Sequence, residues 1–507
     1  MTSIAEIRCR FRELGAVFLV CLLLGGVARA DEKSPAADLP GRVETRHTQN
    51  AGDGAIAYSA IAEPLPLRDA KGETTASVFT VSYVADTEPG KTRPVAFLVN
   101  GGPGAASVFL HLGAVGPRVV DTPESGAAPP PPVRLIDNAS SWLPFTDLVF
   151  IDPVGAGFSH GHARDKEDNP DKPFWAVRSD LNSLASVIRL WLTRHQRWDS
   201  PVYLVGESYG GFRAAALAHN LVRDVGLTVS GLVLVSPALD MAMLNPNIGN
   251  LVAPATELPS YAASAAVLSG GKFDADAVER YALTDYIAGL ANLPGKPGPG
   301  DALIAKVAGL IGLPAETVTR ERGRVSRELF RRELRRPQAE ILSAYDATVG
   351  RPATAKPWDD HAGDPILDSV VPAYTSGFQT YAAEALGYRT EQPYRVLSGE
   401  VSRQWQWEGS RDGEGGLGLA LSSLQSALLA SPKMQVLVVN GRYDLVTPYL
   451  ASRWLLDQIS VPPAVRAAIR VRVYDGGHMM YMRPSVRAAL ARDVSDLFAG
   501  RDAAPSQ

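Results

Sequence analysis

The sequence predicts an α/β fold in which helices cover both faces of a mostly parallel sheet and a mainly helical segment is inserted before the last strands. Two observations lead to this prediction. Short, wholly apolar runs, which are typical of strands buried on both faces, are separated by stretches with apolar residues at helical spacing. Each apolar run also ends abruptly in a polar or glycine-rich turn. Strands and helices that alternate in this way form βαβ units and therefore a parallel sheet.

The elements follow in order along the chain. The polar residues 31–55 are expected to form a loose arm. The predicted strands are apolar or β-branched runs at 76–84, 94–99, 148–151, 202–205, 232–235, 434–439 and 470–474. The predicted helices are an amphipathic stretch at 178–198, an alanine-rich stretch that ends near Val222, and a closing helix from about 485 to 498.

The alternation stops after Pro237. Residues from about 240 to 400 contain helical stretches and no clean apolar strand, which indicates an inserted cap. We therefore predict four regions along the chain, which are a signal peptide at 1–30, a first part of the core at 31–240, the cap at 241–400 and a second part of the core at 401–507.

The composition excludes several protein classes. The chain has 507 residues, of which 46% are hydrophobic and 21% charged, as in a globular protein with a real core. Wholesale disorder, collagen-like and coiled-coil architectures are therefore excluded. A formal net charge of −4 gives no reason to expect nucleic acid or an anionic membrane as a partner.

The N-terminus has the pattern of an export signal. A basic start is followed by an apolar run at 15–27 and by Ala28-Arg29-Ala30, whose two alanines have the spacing that a signal peptidase reads. We expect cleavage before Asp31 and an exported protein, periplasmic or secreted, with no stable membrane association afterwards. An uncleaved anchor is the alternative. Cleavage would remove both cysteines, Cys9 and Cys21, and with them any disulfide, thiolate nucleophile or cysteine-bound metal.

The candidate nucleophile is Ser208, at the centre of the pentapeptide Gly-Glu-Ser-Tyr-Gly at 206–210. The pentapeptide lies between a predicted buried strand and a predicted helix, the context of a nucleophile elbow. Its glycines are needed because side chains at those positions would collide with the neighbouring strand and helix. The alternative is a glycine-rich turn whose serine only caps the helix.

A serine nucleophile needs a base, and His478 is the histidine that follows the last predicted strand through a Gly-Gly turn. Asp444 lies in the turn after the preceding strand. The order Ser208, Asp444, His478 is that of α/β-hydrolases, so the predicted fold becomes an α/β-hydrolase. His478 would accept the Ser208 proton, and Asp444 would orient the ring and stabilise the imidazolium. The alternatives are a turn aspartate and a surface histidine.

Two backbone N–H groups would complete the site. A tetrahedral intermediate needs donors from the residue after the nucleophile, here Tyr209, and from a glycine-rich loop after an earlier strand. The loop Asn-Gly-Gly-Pro-Gly at 100–104 follows such a strand, and Gly102 is its natural donor. The alternative is a tight turn without a ligand.

These motifs together make the sequence resemble the serine carboxypeptidase family. The residues that carry the resemblance are NGGPG at 100–104, Gly116-Pro117, Asn138 with Ser141-Trp142, DPVGAGFS at 152–159, GESYGG at 206–211, the turn ending in Asp444, and GGHM at 476–479. The resemblance implies a hydrolase with a cap that removes C-terminal amino acids from peptides. The absence of the disulfides common in eukaryotic relatives fits a bacterial, exported member.

The resemblance also implies that Asn100 and Glu207 bind the C-terminal carboxylate of the substrate. An ionised Glu207 would repel that carboxylate, whereas a protonated Glu207 can donate a hydrogen bond to it. The family usually has a second glutamate at the position of Ala114. We therefore expect a mildly acidic pH optimum, less acidic than that of relatives with both glutamates, and Ala114 places strict carboxypeptidase specificity in question.

The sequence analysis thus predicts a serine-type carboxypeptidase that acts on peptides through an acyl-enzyme on Ser208. It predicts no cofactor and no metal site, and it sets no oligomeric state. An esterase, an acyltransferase, a dipeptide-releasing enzyme or another acyl hydrolase with the same triad is the alternative. An inactive binding protein is a further one, which the presence of all three triad residues disfavours.

Overall fold

The computed structural model describes residues 39–51, 54–88, 90–163, 169–244, 248–353, 363–407, 416 and 418–501. The predicted signal peptide, its cleavage site and both cysteines lie outside the described residues. Residues from Leu39 onward form one compact unit. No helix within the described ranges is long and apolar enough to cross a bilayer.

Strands in the described chain are β1 (Val43–Ala51), β2 (Gly54–Arg68), β3 (Thr74–Ala85), β4 (Val95–Val99), β5 (Arg118–Val120), β6 (Leu135–Asp137), β7 (Asp147–Ile151), β8 (His160–Gly161), β9 (Val202–Glu207), β10 (Gly231–Val235), β11 (Glu340–Leu342), β12 (Gly350–Pro352), β13 (Gln435–Gly441) and β14 (Ile469–Tyr474). Strands β5 and β6 pair with each other, as do β11 and β12.

The main sheet has the strand order β1-β2-β3-β7-β4-β9-β10-β13-β14, and β8 pairs with β3. The six strands from β7 to β14 in this order are parallel, and β1, β2 and β3 add antiparallel strands at one edge. The predicted α/β-hydrolase architecture, with a mostly parallel central sheet, is confirmed. The prediction of a loose arm at 31–55 is wrong for Val43–Ala51, because these residues form an edge strand that pairs with β2 along the whole length of β1.

The α-helices of the described chain are α1 (Val108–Leu110), α2 (Val177–Arg194), α3 (Tyr209–Asn220), α4 (Met241–Leu244), α5 (Val252–Ser269), α6 (Ala275–Tyr281), α7 (Ile287–Ala291), α8 (Ala302–Ile311), α9 (Ala315–Arg320), α10 (Arg327–Glu333), α11 (Pro365–Glu384), α12 (Gly399–Gln404), α13 (Leu419–Ala430), α14 (Tyr449–Gln458), α15 (Pro463–Arg466) and α16 (Pro484–Phe498). Short π-helical and 3-10 segments extend several of them, among them Met480–Met482.

Side chains alternate between the two sides of the sheet along the parallel strands, so the core consists of two apolar clusters, one on each side. Leu98 and Val205 belong to one apolar cluster, which α11 and α16 cover, whereas Phe97 and Leu204 belong to a second cluster, which α2, α3 and α13 cover. Neighbouring residues of a strand face opposite sides of the sheet, so these strands are buried on both faces. Burial on both faces explains why their sequences are continuous apolar runs.

The segment between β10 and β13 is mainly helical, and it also contains the antiparallel pair β11 and β12. Helices α5 to α10 share an apolar cluster of their own, which includes Tyr449 and Leu450 of α14. Helix α11 instead packs in the first cluster of the central sheet through residues such as Val370 and Phe378. This segment is therefore packed against the core at two places.

Candidate active site

The turn between β9 and α3 has the geometry of a nucleophile elbow. Ser208 has φ 61° and ψ −125°, a backbone conformation that non-glycine residues rarely adopt and that occurs at functional sites. A Cβ at Gly206 would lie 1.9 Å from the carbonyl oxygen of Gly210, and one at Gly210 would lie 2.2 Å from that of Val99. The two glycines therefore leave the space that the strained turn needs.

His478 and Asp444 meet beyond the carboxyl ends of the neighbouring strands β14 and β13. The Nδ1 atom of His478 lies 2.8 Å from Oδ2 of Asp444, and both residues are buried. Because Nδ1 must then carry a proton, Nε2 is free to accept one. Burial opposes the charge of the imidazolium, but the carboxylate of Asp444, together with that of Glu207, outweighs burial and raises the pKa of His478 above its ordinary value.

Asp444 is fixed by the turn that follows it. Its Oδ1 accepts hydrogen bonds from the backbone N–H groups of Val446, at 2.7 Å, and Thr447, at 3.1 Å. The Thr447 hydroxyl lies 2.7 Å from Oδ2 and 3.1 Å from Nδ1 of His478. Sequence reasoning missed Thr447, although a threonine three residues after an aspartate in a turn is a common partner for it.

The backbone of His478 is held by the helical segment. Its N–H donates to the carbonyl oxygen of Tyr345, and the Tyr345 ring stands edge-on to the imidazole with 5.1 Å between centroids. A Cβ at Gly477 would lie 2.0 Å from that same carbonyl oxygen, so this contact requires a glycine before the histidine. Sequence reasoning missed Tyr345 because nothing in the motifs links positions 345 and 478.

Ser208 and His478 line one small cavity of about 100 Å³. Its polar lining includes Asn100 and Glu207, and Gly102 also borders it. The remaining walls are mostly apolar and come from both the core and the helical segment: Ala105, Phe109, Leu367, Leu397, Val446 and Met479. The Ser208 hydroxyl makes no hydrogen bond to His478 within the described residues, and such bonds often tighten only when substrate binds.

The glycine loop at 100–104 packs directly against the elbow. A Cβ at Gly101 would lie 2.4 Å from the backbone nitrogen of Tyr209, so only glycine allows this approach. Gly102 has φ 96°. Neither the N–H of Gly102 nor that of Tyr209 has an acceptor within the described residues. Two free donors beside the nucleophile are what an oxyanion hole requires.

A buried arginine ties this loop to the helix behind Ser208. Arg213 of α3 donates to the carbonyl oxygen of Asn100 at 2.6 Å and to that of Gly101 at 3.2 Å. Its guanidinium also forms a bidentate pair with Asp180 of α2, at 2.8 and 3.1 Å. The sequence did offer a signal that was not used, because Arg213 is a single charge in an otherwise apolar run of α3.

Asn100 and Glu207 are in direct contact at the cavity wall. The Asn100 amide donates to Oε2 of Glu207 at 2.8 Å, and the Tyr481 hydroxyl donates to the same oxygen at 2.7 Å. Burial raises the pKa of Glu207 to about 7, although these hydrogen bonds and His478 favour the ionised form. Glu207 is therefore protonated in acidic solution. Sequence reasoning missed Tyr481.

Ala114 is buried and adds no carboxyl group to this part of the molecule. Its carbonyl oxygen accepts a hydrogen bond of 2.9 Å from the Asn138 side chain, which also donates to Gly116. Asn138 therefore serves to hold the loop that contains Ala114. Within the described ranges there is no group of three or more histidine, cysteine, aspartate or glutamate side chains that could hold a metal ion.

The strand order and the elbow place this protein in the class of α/β-hydrolase-fold proteins. Comparison with known proteins shows which family one part of the chain is similar to. Residues 69–251, about a third of the chain, match the family model for serine carboxypeptidase. The matched segment contains Ser208 and ends before Asp444 and His478.

Curated relatives are similar over about a third of the chain. Serine carboxypeptidase-like 33 of Arabidopsis thaliana is 28% identical over 179 residues, which are 33% of this chain and 34% of the relative. Probable serine carboxypeptidase CPVL of Homo sapiens is 29% identical over 169 residues, 31% of each chain. The chain thus spans about a third of the length of these relatives.

Solved structures match most of the chain, but at low similarity. The structure of a thermostable carboxyl esterase from Bacillus coagulans covers 87% of this chain and 98% of its own, with 13% identity and a TM-score of 0.36. The structure of VinJ gives 14% identity, the same TM-score, and coverage of 87% and 99%. At these values the activities of the two proteins have no bearing on this chain.

Proposed function

We propose that this protein is a serine-type carboxypeptidase, which removes C-terminal amino acids from peptides. The observation that carries the proposal is the position of Glu207, a buried carboxyl group with a pKa near 7 in the wall of the cavity that contains Ser208. A protonated carboxyl beside the Asn100 amide is a pair of donors suited to a carboxylate ligand. The segment similar to serine carboxypeptidases contains both residues.

The proposed reaction uses the described geometry directly. Ser208 attacks the scissile carbonyl carbon while Nε2 of His478 takes the hydroxyl proton, and Asp444 stabilises the resulting imidazolium. The N–H groups of Gly102 and Tyr209 donate to the developing oxyanion. His478 returns the proton to the leaving amino group, and a water molecule then hydrolyses the acyl-enzyme on Ser208.

The titration of two groups sets the pH dependence of the proposed reaction. Glu207 must be protonated to hold a carboxylate, so kcat/KM falls as the pH rises through its pKa of about 7. His478 must be neutral to act as a base, so kcat/KM also falls as the pH drops through its raised pKa. We therefore expect a narrow bell-shaped profile near neutrality rather than the mildly acidic optimum expected from the sequence, and its two limbs belong to the coupled pair.

Glu207→Gln is expected to remove the alkaline limb for peptides with a free C-terminal carboxylate, because glutamine remains a neutral donor at all pH values. The acidic limb should move to lower pH, since the Glu207 charge that helps to raise the pKa of His478 is gone. The measurement is kcat/KM from pH 5 to 9 for a free-acid peptide and for its C-terminal amide. The wild-type enzyme should favour the free acid by roughly a hundredfold at pH 6.

Glu257→Gln is the matched control. Glu257 of α5 is a half-buried glutamate whose pKa is also raised by burial to about 7, but it does not line the cavity. Its substitution should leave the alkaline limb unchanged. Equal cleavage of free-acid and amidated peptides by the wild-type enzyme would overturn the carboxypeptidase assignment and favour an esterase or a broader acyl hydrolase.

We also propose that the protein is bacterial and exported, periplasmic or secreted. The support is the basic, apolar and small-residue pattern of positions 1–30. The mature protein should begin at or near Asp31 and should migrate identically with and without reductant, because residues 31–507 contain no cysteine. N-terminal sequencing of the protein from its native host tests this, and a soluble protein that retains Met1 would contradict it.

A further inference from the structure

The hydrogen bonds of Glu207 are distributed unevenly between its two oxygens. Both bonds that it accepts from side chains end on Oε2, one from Asn100 at 2.8 Å and one from Tyr481 at 2.7 Å. Within the described residues, Oε1 has no hydrogen-bond partner, and it is not among the fully enclosed atoms. Since Glu207 lines the cavity beside Ser208, Oε1 is the oxygen that is left for a ligand.

The orientation of both donors is fixed by their surroundings. The Oδ1 atom of Asn100 accepts a hydrogen bond from the backbone N–H of Leu110 at 3.1 Å, so the amide group must present its NH2 to Glu207. Tyr481 is completely buried, and burial together with the nearby Glu207 holds the pKa of its hydroxyl well above the ordinary value. The hydroxyl therefore stays protonated and can donate throughout the working pH range.

Two donors on one carboxyl oxygen decide where the proton of that carboxyl group resides. A carboxyl oxygen has two lone pairs in its plane, and the donors from Asn100 and Tyr481 occupy those of Oε2. A proton on Oε2 would have to displace one of them. The proton of a neutral Glu207 therefore resides on Oε1, from which it can be donated to a group in the cavity.

Other titratable groups also surround Glu207, but they do not touch it in this way. His478 and Asp444 act on it from the loops after β14 and β13. Tyr345 of the helical segment and Tyr374 of α11 are within electrostatic reach, and Arg487 of α16 acts on Tyr374. Of the tyrosines, Tyr481 is the one with a hydroxyl hydrogen-bonded to the carboxyl group in the described structure.

We infer that Tyr481 is a positioning residue for substrate recognition, which together with Asn100 directs the acidic proton of Glu207 onto Oε1 and towards the substrate carboxylate. This inference rests on the proposed function, because it assigns to Tyr481 the task of preparing Glu207 for that ligand. It also names Tyr481 as a partner of Glu207 in a chain in which Ala114 occupies the position where the serine carboxypeptidase family usually has a second glutamate.

Tyr481→Phe tests the inference because it removes one donor and keeps the ring. Two changes of opposite sense are expected. The alkaline limb of kcat/KM for a free-acid peptide should move to higher pH, since a bond that favours the ionised carboxyl is lost. Below that limb, KM should rise about three- to tenfold with kcat nearly unchanged, because the proton can now reside on Oε2.

Tyr374→Phe is the matched control. Tyr374 is a buried tyrosine near the same carboxyl group, and its hydroxyl has no hydrogen-bond partner among the described residues. Its removal should leave both the limb and KM unchanged. A fluorophosphonate label should react with Ser208 at the wild-type rate in both Tyr481→Phe and Tyr374→Phe. An unchanged rate would show that the arrangement of the catalytic residues is intact.

A graded variant covers the case in which the phenylalanine disturbs packing. Replacement of Tyr481 alone by 3-fluorotyrosine gives a stronger donor of nearly the same size, so the alkaline limb should move to lower pH. The inference would be overturned if the alkaline limb were unchanged both in Tyr481→Phe and in the 3-fluorotyrosine variant while the enzyme still preferred free-acid over amidated peptides. The proposed function would then still stand. Loss of that preference in the wild-type enzyme would instead overturn the proposed function.

Discussion

Ser208→Ala will fold normally and will lower kcat by about four to six orders of magnitude. The reason is that the acyl-enzyme needs a nucleophile at the elbow, where Ser208 points into the cavity with His478 beside it. Residues 31–507 contain no cysteine that could replace it. Alanine lacks only the hydroxyl, so the backbone conformation at φ 61° and the thermal unfolding should change little.

The measurement is kcat for a peptide substrate together with mass spectrometry of the protein after exposure to a fluorophosphonate. The wild-type enzyme should carry one adduct on the peptide that contains Ser208, and the variant should carry none. Ser376→Ala, on the exposed side of α11, is the control and should match the wild-type enzyme. Residual activity within a hundredfold of wild type in a clean preparation would refute the mechanism.

Asp444→Asn is expected to cost about four orders of magnitude in kcat near neutral pH, the size of the effect when a triad histidine is held in the wrong tautomer. The backbone N–H groups of Val446 and Thr447 both donate to Oδ1, so the asparagine must keep its oxygen there. Its NH2 group then takes the place of Oδ2 and faces Nδ1 of His478. That nitrogen has to accept, the ring proton moves to Nε2, and the base is lost.

Proton NMR checks the tautomer independently of activity. The wild-type enzyme should show a far-downfield Nδ1–H resonance from His478, and Asp444→Asn should lack it while it retains the wild-type circular dichroism. Asp457→Asn, at an exposed position of α14, is the matched control. A variant with wild-type kcat would show that Asp444 is a turn residue with no part in the reaction.

The parts of the fold that could be predicted from the sequence are those in which burial requires a recognisable local pattern of apolar residues. The runs around Val205 and Leu234 are continuous because β9 and β10 are covered on both faces, and they were placed within a residue or two. Strand β1 was missed because it lies at the sheet edge, where pairing on one side requires few apolar residues. Its polar sequence therefore resembled that of a loop.

The candidate site divides in the same way. Each residue of the triad follows a predictable strand and lies in a turn with a strong local signal. The sequence therefore allowed us to expect that Ser208, Asp444 and His478 meet at the carboxyl ends of the parallel strands. Tyr345 and Tyr481 could not be found, because their roles depend on contacts between distant parts of the chain. Tyr481 reaches Glu207 across 274 positions, and no spacing or composition in a single sequence records such a pair.

The contact between Tyr345 and the loop of His478 limits how far the core and the helical segment of this protein can be exchanged independently. The carbonyl oxygen of Tyr345 fills the space that a side chain at position 477 would need, and it accepts the N–H of His478. Excision of the helical segment to make a minimal catalyst would therefore release the base as well as open the cavity. A chimera with another segment would need a main-chain carbonyl at the same point, so substrate range and reactivity have to be engineered together.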